Sequence, residues 1–104
     1  MNPFIPIRIL TTKIGHNKNI LNYVVELAKE VSKQEGFIKT NKYWKICDDP
    51  TIVTITDWES KLAWQRWFHS YERSDIHKKY ANDIVNEKYD ILMKKKDNND
   101  IFLL

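Results

Sequence analysis

Residues 37–58 read FIKTNKYWKICDDPTIVTITDW, and the fold turns on them. The first ten, Phe37 to Ile46, set aromatic and β-branched residues among lysines, the composition of a strand. Cys47-Asp48-Asp49-Pro50 reads as a turn, because aspartate side chains satisfy nearby backbone N–H groups and Pro50 fixes the backbone after them. Thr51 to Trp58 then alternates cleanly as another strand. The two strands form an antiparallel hairpin.

Helices flank this hairpin on both sides. Upstream, Ile20, Val24, Leu27 and Val31 make one apolar stripe, with Leu21, Val25 and Ala28 alongside. Asn17 or Asn19 can cap the start of that helix, and Gly36 is a natural stop. Before it, residues 4–13 alternate Ile5, Ile7 and Ile9 against Pro6, Arg8 and Leu10, a strand that Gly15 ends. Downstream, Ser60 can cap a helix carrying Ala63, Trp64, Trp67, Phe68 and Tyr71. A break near Ser70 separates it from a second helical stretch with Ile76, Tyr80, Ala81 and Ile84 in register. Residues 87–94 close the pattern as a strand, with Tyr89, Ile91 and Met93 alternating. The order is β-α-β-β-α-β, an α+β ferredoxin-like arrangement with an antiparallel sheet and helices on one face. The other sheet face is left for a ligand or for a second copy of the sheet. Residues 1–94 form the domain. Residues 95–104, polar and then abruptly apolar, form a tail that is either flexible or docked on a partner subunit.

Composition removes several classes of function. A chain of 104 residues is one small domain, and 42% hydrophobic with 30% charged residues describes a globular protein. A net charge of +3 with interspersed signs lacks the clustered basic stripe of a nucleic-acid surface. Lys39, Lys42 and Lys45 do not share one strand face, so they form no phosphate-binding stripe. No apolar run approaches the roughly 20 residues of a membrane span. MNPFIPIRIL has neither the basic start nor the cleavage site of a signal peptide. With Cys47 as its single cysteine the chain makes no internal disulfide, and a cytoplasmic location is expected. Two glycines cannot build a Gly-rich phosphate loop, and there is no zinc-type HxxxH motif or nucleophile elbow.

Three segments together resemble the antibiotic biosynthesis monooxygenase family. They are Gly36-Phe37-Ile38 at the opening of the second strand, Asp48-Asp49-Pro50 before a strand that ends in Trp58-x-Ser60, and Ala63-Trp64-x-x-Trp67 followed by Ser70-x-Glu72-Arg73. Their order spans about residues 5–93. The resemblance implies a dimeric α/β barrel in which two sheets pack face to face. It also implies a ligand pocket between sheet and helices, and oxidation of an aromatic or polycyclic small molecule by O₂ without metal or flavin. A haem-degrading branch of the same superfamily is similar in the spacing of Trp67 and His77. That branch has an asparagine on strand one, where this chain has Ile7 or a neighbour and no asparagine from Ile5 to Thr12.

Residues 56–80 hold three of the four tryptophans and two of the three histidines, so chemistry is sought there. His77 is the first catalytic candidate, as a general base near neutral pH or as an axial haem ligand. Next to Lys78 and Lys79 it can equally be a solvated or capping residue. Trp67 is expected near the pocket and Trp64 in the core alone. His69, Tyr43, Asn41 and Trp58 are further pocket candidates, and Trp58 is expected to face Trp44 across the hairpin. His16 is expected to be exposed. No metal is expected other than haem iron on His77, and no other cofactor. The alternatives to a cofactor-free monooxygenase are a haem-binding or haem-degrading protein, and a non-catalytic dimeric ligand-binding module.

Overall fold

The computed structural model describes residues 3–13, 15–45 and 51–92. The elements in chain order are strand β1 (Ile5–Thr12), helix α1 (Asn17–Val31), strands β2 (Phe37–Lys45) and β3 (Thr51–Trp58), helices α2 (Lys61–Phe68) and α3 (Tyr71–Tyr80), a 3₁₀ turn (Ala81–Asp83) and strand β4 (Ile84–Leu92). They build one antiparallel sheet in the order β2-β3-β1-β4, so the α+β ferredoxin-like arrangement is the one observed. The turn at 47–50, Met93 and the tail lie outside the described residues.

β1 and β3 are the inner strands, and parity decides what each side chain meets. Along β1, Pro6, Leu10 and Thr12 are buried beneath the helices, while Ile5, Ile7 and Ile9 are only partly covered. Register places Ile7 beside Ile55 and Ile9 beside Val53. The face away from the helices therefore carries Ile5, Ile7, Ile9, Val53 and Ile55 along its middle. Asn41 and Tyr43 join it from β2, and Lys88 and Asp90 from β4.

The core lies on the helix side. Leu10, Ile20, Tyr23, Val24, Leu27, Val31, Ile52, Trp58, Ala63, Trp67 and Tyr80 form one buried cluster. Trp58 is fully enclosed; removing roughly 200 Å² of ring surface from water contributes about 5 kcal/mol before its entropy is counted. Its aromatic partner is Phe37, centroids 5.5 Å apart, and not Trp44 as expected. Trp44 sits near the turn opposite Ile52, whereas an irregularity between Phe37 and Lys39 brings Phe37 against Trp58 at the far end.

Other details depart from the sequence reading. Leu21 and Val25 are exposed, because the stripe of α1 is centred on Ile20, Tyr23, Val24, Leu27 and Val31. α1 begins at Asn17, so its cap position falls before either of the asparagines expected to fill it. His16 holds the cap position without a side-chain capping bond, and the Asn19 amide donates to Asp83. α1 ends at Val31, and Gly36 instead opens the turn into β2 with φ +87°. A Cβ there would stand 2.5 Å from the Ala63 Cβ, so the glycine also lets α2 approach. α3 ends at Tyr80, and Ile84 begins β4 instead of extending the helical register. Ser60 caps α2 as expected, accepting from the Ala63 N–H at 3.1 Å, and at the break Ser70 caps α3, accepting from the Arg73 N–H at 3.2 Å.

Candidate functional site

The site lies between the sheet and α1, α2 and α3. One row across the sheet, Lys42, Thr54, Arg8 and Tyr89, forms its floor, all four pointing toward the helices. Trp67, buried on the inner face of α2, closes it from above. Two adjoining cavities of about 40 Å³ each share Arg8, Thr54, Thr56 and Trp67. One runs toward Pro6, Trp64, Arg73 and Tyr89. The other runs beneath α1, along Val24, Leu27, Ala28 and Val31, to Thr40 and Lys42.

The walls of the first cavity are aromatic. They are Trp64, Trp67 and Tyr89; behind them Phe4 and Phe68 pack tilted against Trp64 at 5.4 and 4.8 Å, and Phe68 meets Tyr89 edge-on at 4.9 Å. Arg73 lies 4.2 Å over the Phe68 ring, a cation–π contact that fixes its guanidinium. Trp64 is thus a cavity wall and not the core-only residue expected, because Trp67, one turn on, takes the deeper place.

Behind the walls, Glu87 is the hub of a polar network. Tyr23 donates to it at 2.9 Å, Arg73 reaches it at 3.4 Å, and the Tyr89 hydroxyl, itself accepting from Arg73, also donates to it. His77 Nε2 stands 3.5 Å from Glu87 Oε2, the oxygen that also accepts from Tyr23, with its ring edge-on to Tyr23. Glu87 is 7% exposed and Arg73 14%, so each is buried with its counter-charge in place. Burial, and then the neighbouring Glu87 charge, push the Tyr23 and Tyr89 phenols above their ordinary pKa. Both hydroxyls therefore stay protonated donors at neutral pH.

The residues singled out in the sequence separate. Trp67 lines both cavities, while His77 lines neither and meets the site only through Glu87. His69 caps the C-terminus of α2, exposed and edge-on to Phe68. Asn41 and Tyr43 lie on the opposite sheet face from the helices, both exposed. Trp58 is enclosed in the core with its indole N–H donating to Thr56 at 3.0 Å. His16 is exposed, and its Nδ1 stands 2.6 Å from Asp83. Among the described residues no group of three or more His, Cys, Asp or Glu is placed to hold a metal. For a haem with His77 as axial ligand, the His77 ring would have to leave Glu87 and turn toward the cleft that Trp67 lines.

Arg8, Arg73, Glu87, Tyr89 and Lys42 were not identified as site residues from the sequence. A signal existed for some of them. Arg8 shares parity with buried Pro6 and Leu10, and Glu87 shares it with Tyr89 and Ile91.

Comparison with known proteins supports this architecture. Residues 3–79 match the profile of antibiotic biosynthesis monooxygenases, nearly three quarters of the sequence, and the chain belongs to that family. Its fold is similar to SnoaB, a cofactor-independent oxygenase of Streptomyces nogalater, with TM-score 0.81, 12% identity, and 94% and 98% of the two chains covered. A conserved protein of Methanosarcina mazei Go1 gives TM-score 0.81 at 17% identity, covering 91% of this chain and 95% of its own. A Bacillus cereus protein described as a candidate antibiotic biosynthesis monooxygenase gives TM-score 0.63 at 24% identity, covering 94% and 98%. No functionally curated protein matches the sequence. Among the described residues no helix is long and apolar enough to cross a membrane.

Proposed function

We propose that the protein is a small monooxygenase that oxidises an aromatic compound with O₂, without metal or flavin, in the cleft under Trp67. The observation that carries this reading is an aromatic-walled cleft in which a hydroxyl, Tyr89, connects the cavity to a buried carboxylate. Family membership and the fold shared with a cofactor-independent oxygenase support it.

The chemistry needs an acidic CH₂ flanked by conjugated carbonyl or phenol groups. Its carbanion gives an electron to O₂, the two radicals combine to a peroxide anion that takes a proton back up, and the hydroperoxide loses water to leave a ketone. The net change is CH₂ plus O₂ to C=O plus H₂O. The protein's part is to hold the ring, exclude water and move the proton. The Tyr89 oxygen accepts the substrate proton as its own passes to Glu87. His77, 40% exposed, receives it from Glu87 and returns it to solvent. Cavities of about 40 Å³ favour a compact ring over a tetracyclic one unless the half-buried Trp64 swings aside. We place the protein in the cytoplasm as a homodimer through the apolar sheet face, which family membership and the Ile5, Ile7, Ile9, Val53 and Ile55 stripe support.

The test is oxygen uptake with a panel of quinols and anthrone-type CH₂ compounds, with and without chelator. Chelator-insensitive uptake that falls in Glu87→Gln and Tyr89→Phe while substrate still binds supports the reading. Binding without uptake across the panel would leave a non-catalytic ligand-binding module. A Soret shift with hemin that needs His77 would restore the haem alternative.

A further inference from the structure

The charges lining the cleft are one-sided. Among the described residues that form the two cavities, Arg8, Lys42 and Arg73 are cationic and none is acidic. The nearby carboxylate, Glu87, is engaged by Arg73, Tyr23, Tyr89 and His77. Arg8 bonds Thr54 through Nη2 at 3.1 Å, and its Nε is buried without an acceptor among the described residues. A buried guanidinium N–H with nothing to donate to is costly and rare in a native protein. Lys42 stands in the same row, on the other side of Thr54. Lys42 is exposed at its outer end, and partial burial first and the Arg8 charge second depress its ammonium pKa, so the Arg8 charge is felt there. Next to them the wall of α1 is wholly apolar, with Val24, Leu27, Ala28 and Val31.

We propose that the cleft recognises an oxyanion carried on an apolar body: a carboxylate or ionised enol oxygen seated on the Arg8 Nε–H beside Lys42, with its carbon frame along Val24, Leu27 and Val31. Such an oxygen supplies the acceptor Arg8 lacks and offsets the repulsion between the two cations. This rests on the reading of the cleft as the substrate site, not on the oxidation assigned to it. The substrate class narrows accordingly, to aromatic acids or to compounds bound as their enolates.

The probe is sodium benzoate, compared with benzyl alcohol, the neutral analogue, and with inorganic phosphate. It is titrated into ¹⁵N-labelled protein while the Trp67 indole and Arg8 Nε–H signals are followed. Benzoate is expected to move both signals saturably and to bind at least about tenfold more tightly than benzyl alcohol, the worth of one hydrogen bond to a charged group. Arg8→Gln is expected to abolish that preference. Lys42→Gln, a change at an exposed side chain, is expected to weaken it severalfold, and it keeps the test open should Arg8→Gln not fold. Phosphate that displaces benzoate in the wild type but not in Arg8→Gln supports the oxyanion seat and removes the apolar body from the requirement. Equal binding of benzyl alcohol and benzoate, benzoate binding unchanged in both variants, or no binding of any probe would overturn the inference. Oxygen uptake on a neutral quinol by a protein that ignores benzoate would sink it and leave the oxygenase standing. Benzoate binding without oxygen uptake would do the reverse.

Discussion

Glu87 is the residue on which the interior depends. Its two oxygens answer Arg73, Tyr23, Tyr89 and His77, and replacing it strands a buried guanidinium. Glu87→Gln should lower stability by about 3 kcal/mol, read from urea denaturation, because breaking a buried pair leaves an uncompensated charge. A change below about 1 kcal/mol would mean that Arg73 finds solvent instead. The phenols beside it titrate in a predictable sense. With their folded pKa raised above the ordinary value of 10.0, Tyr23 and Tyr89 contribute stability that is fully present below that pH. It is lost as pH rises further, because only the unfolded chain ionises there. Tyrosinate absorbance during an alkaline titration should therefore show Tyr23 and Tyr89 rising only with unfolding. Early ionisation of all the tyrosines would contradict this burial. Parity put Glu87 and Tyr89 on one strand face, but their meeting with Tyr23 was not legible, because it lies 64 positions away and no local pattern announces it.

At the scale of elements, local chemistry proved readable. Ser60 was identifiable as a cap, and Ser70 as a break between helices, because a cap is made within three residues of itself. β3 kept its expected bounds for the same reason, since alternation is a property of the strand alone. The stop of α1 was misplaced at Gly36, whose role is set by a helix far away in sequence. Gly36→Ala should destabilise by about 2 kcal/mol or more, combining the left-handed φ with a 2.5 Å clash on Ala63. Gly15→Ala, with the same φ but open space around it, should lose only about 1 kcal/mol. Parallel thermal melts of the two variants separate strain from crowding, and equal losses would remove the crowding explanation.

At the scale of the molecule, the sheet has two unlike faces. Fold order was legible because each element announced itself by its period. The cleft beneath Trp67 was not, because it is made by rows across four strands. On the outer face Ile7 and Ile55 are neighbours in the middle of an apolar stripe. Ile7→Lys should convert the expected dimer to a monomer at about 10 µM, read by light scattering, with the circular dichroism of the sheet retained. A wild type that is monomeric at that concentration would rule out this mode of association.

β1 carries both of those surfaces on alternate residues: Ile5, Ile7 and Ile9 outward, Pro6, Arg8 and Leu10 inward. The two sets can drift independently under point substitution, so a lineage can change the outer face without touching the cleft, or the reverse. A single inserted or deleted codon within the strand does something else. It exchanges the sets, turning an arginine to the outer face and an isoleucine to the cleft, and both properties vanish at once. The strand is evolutionarily pliable to replacement and brittle to changes of length.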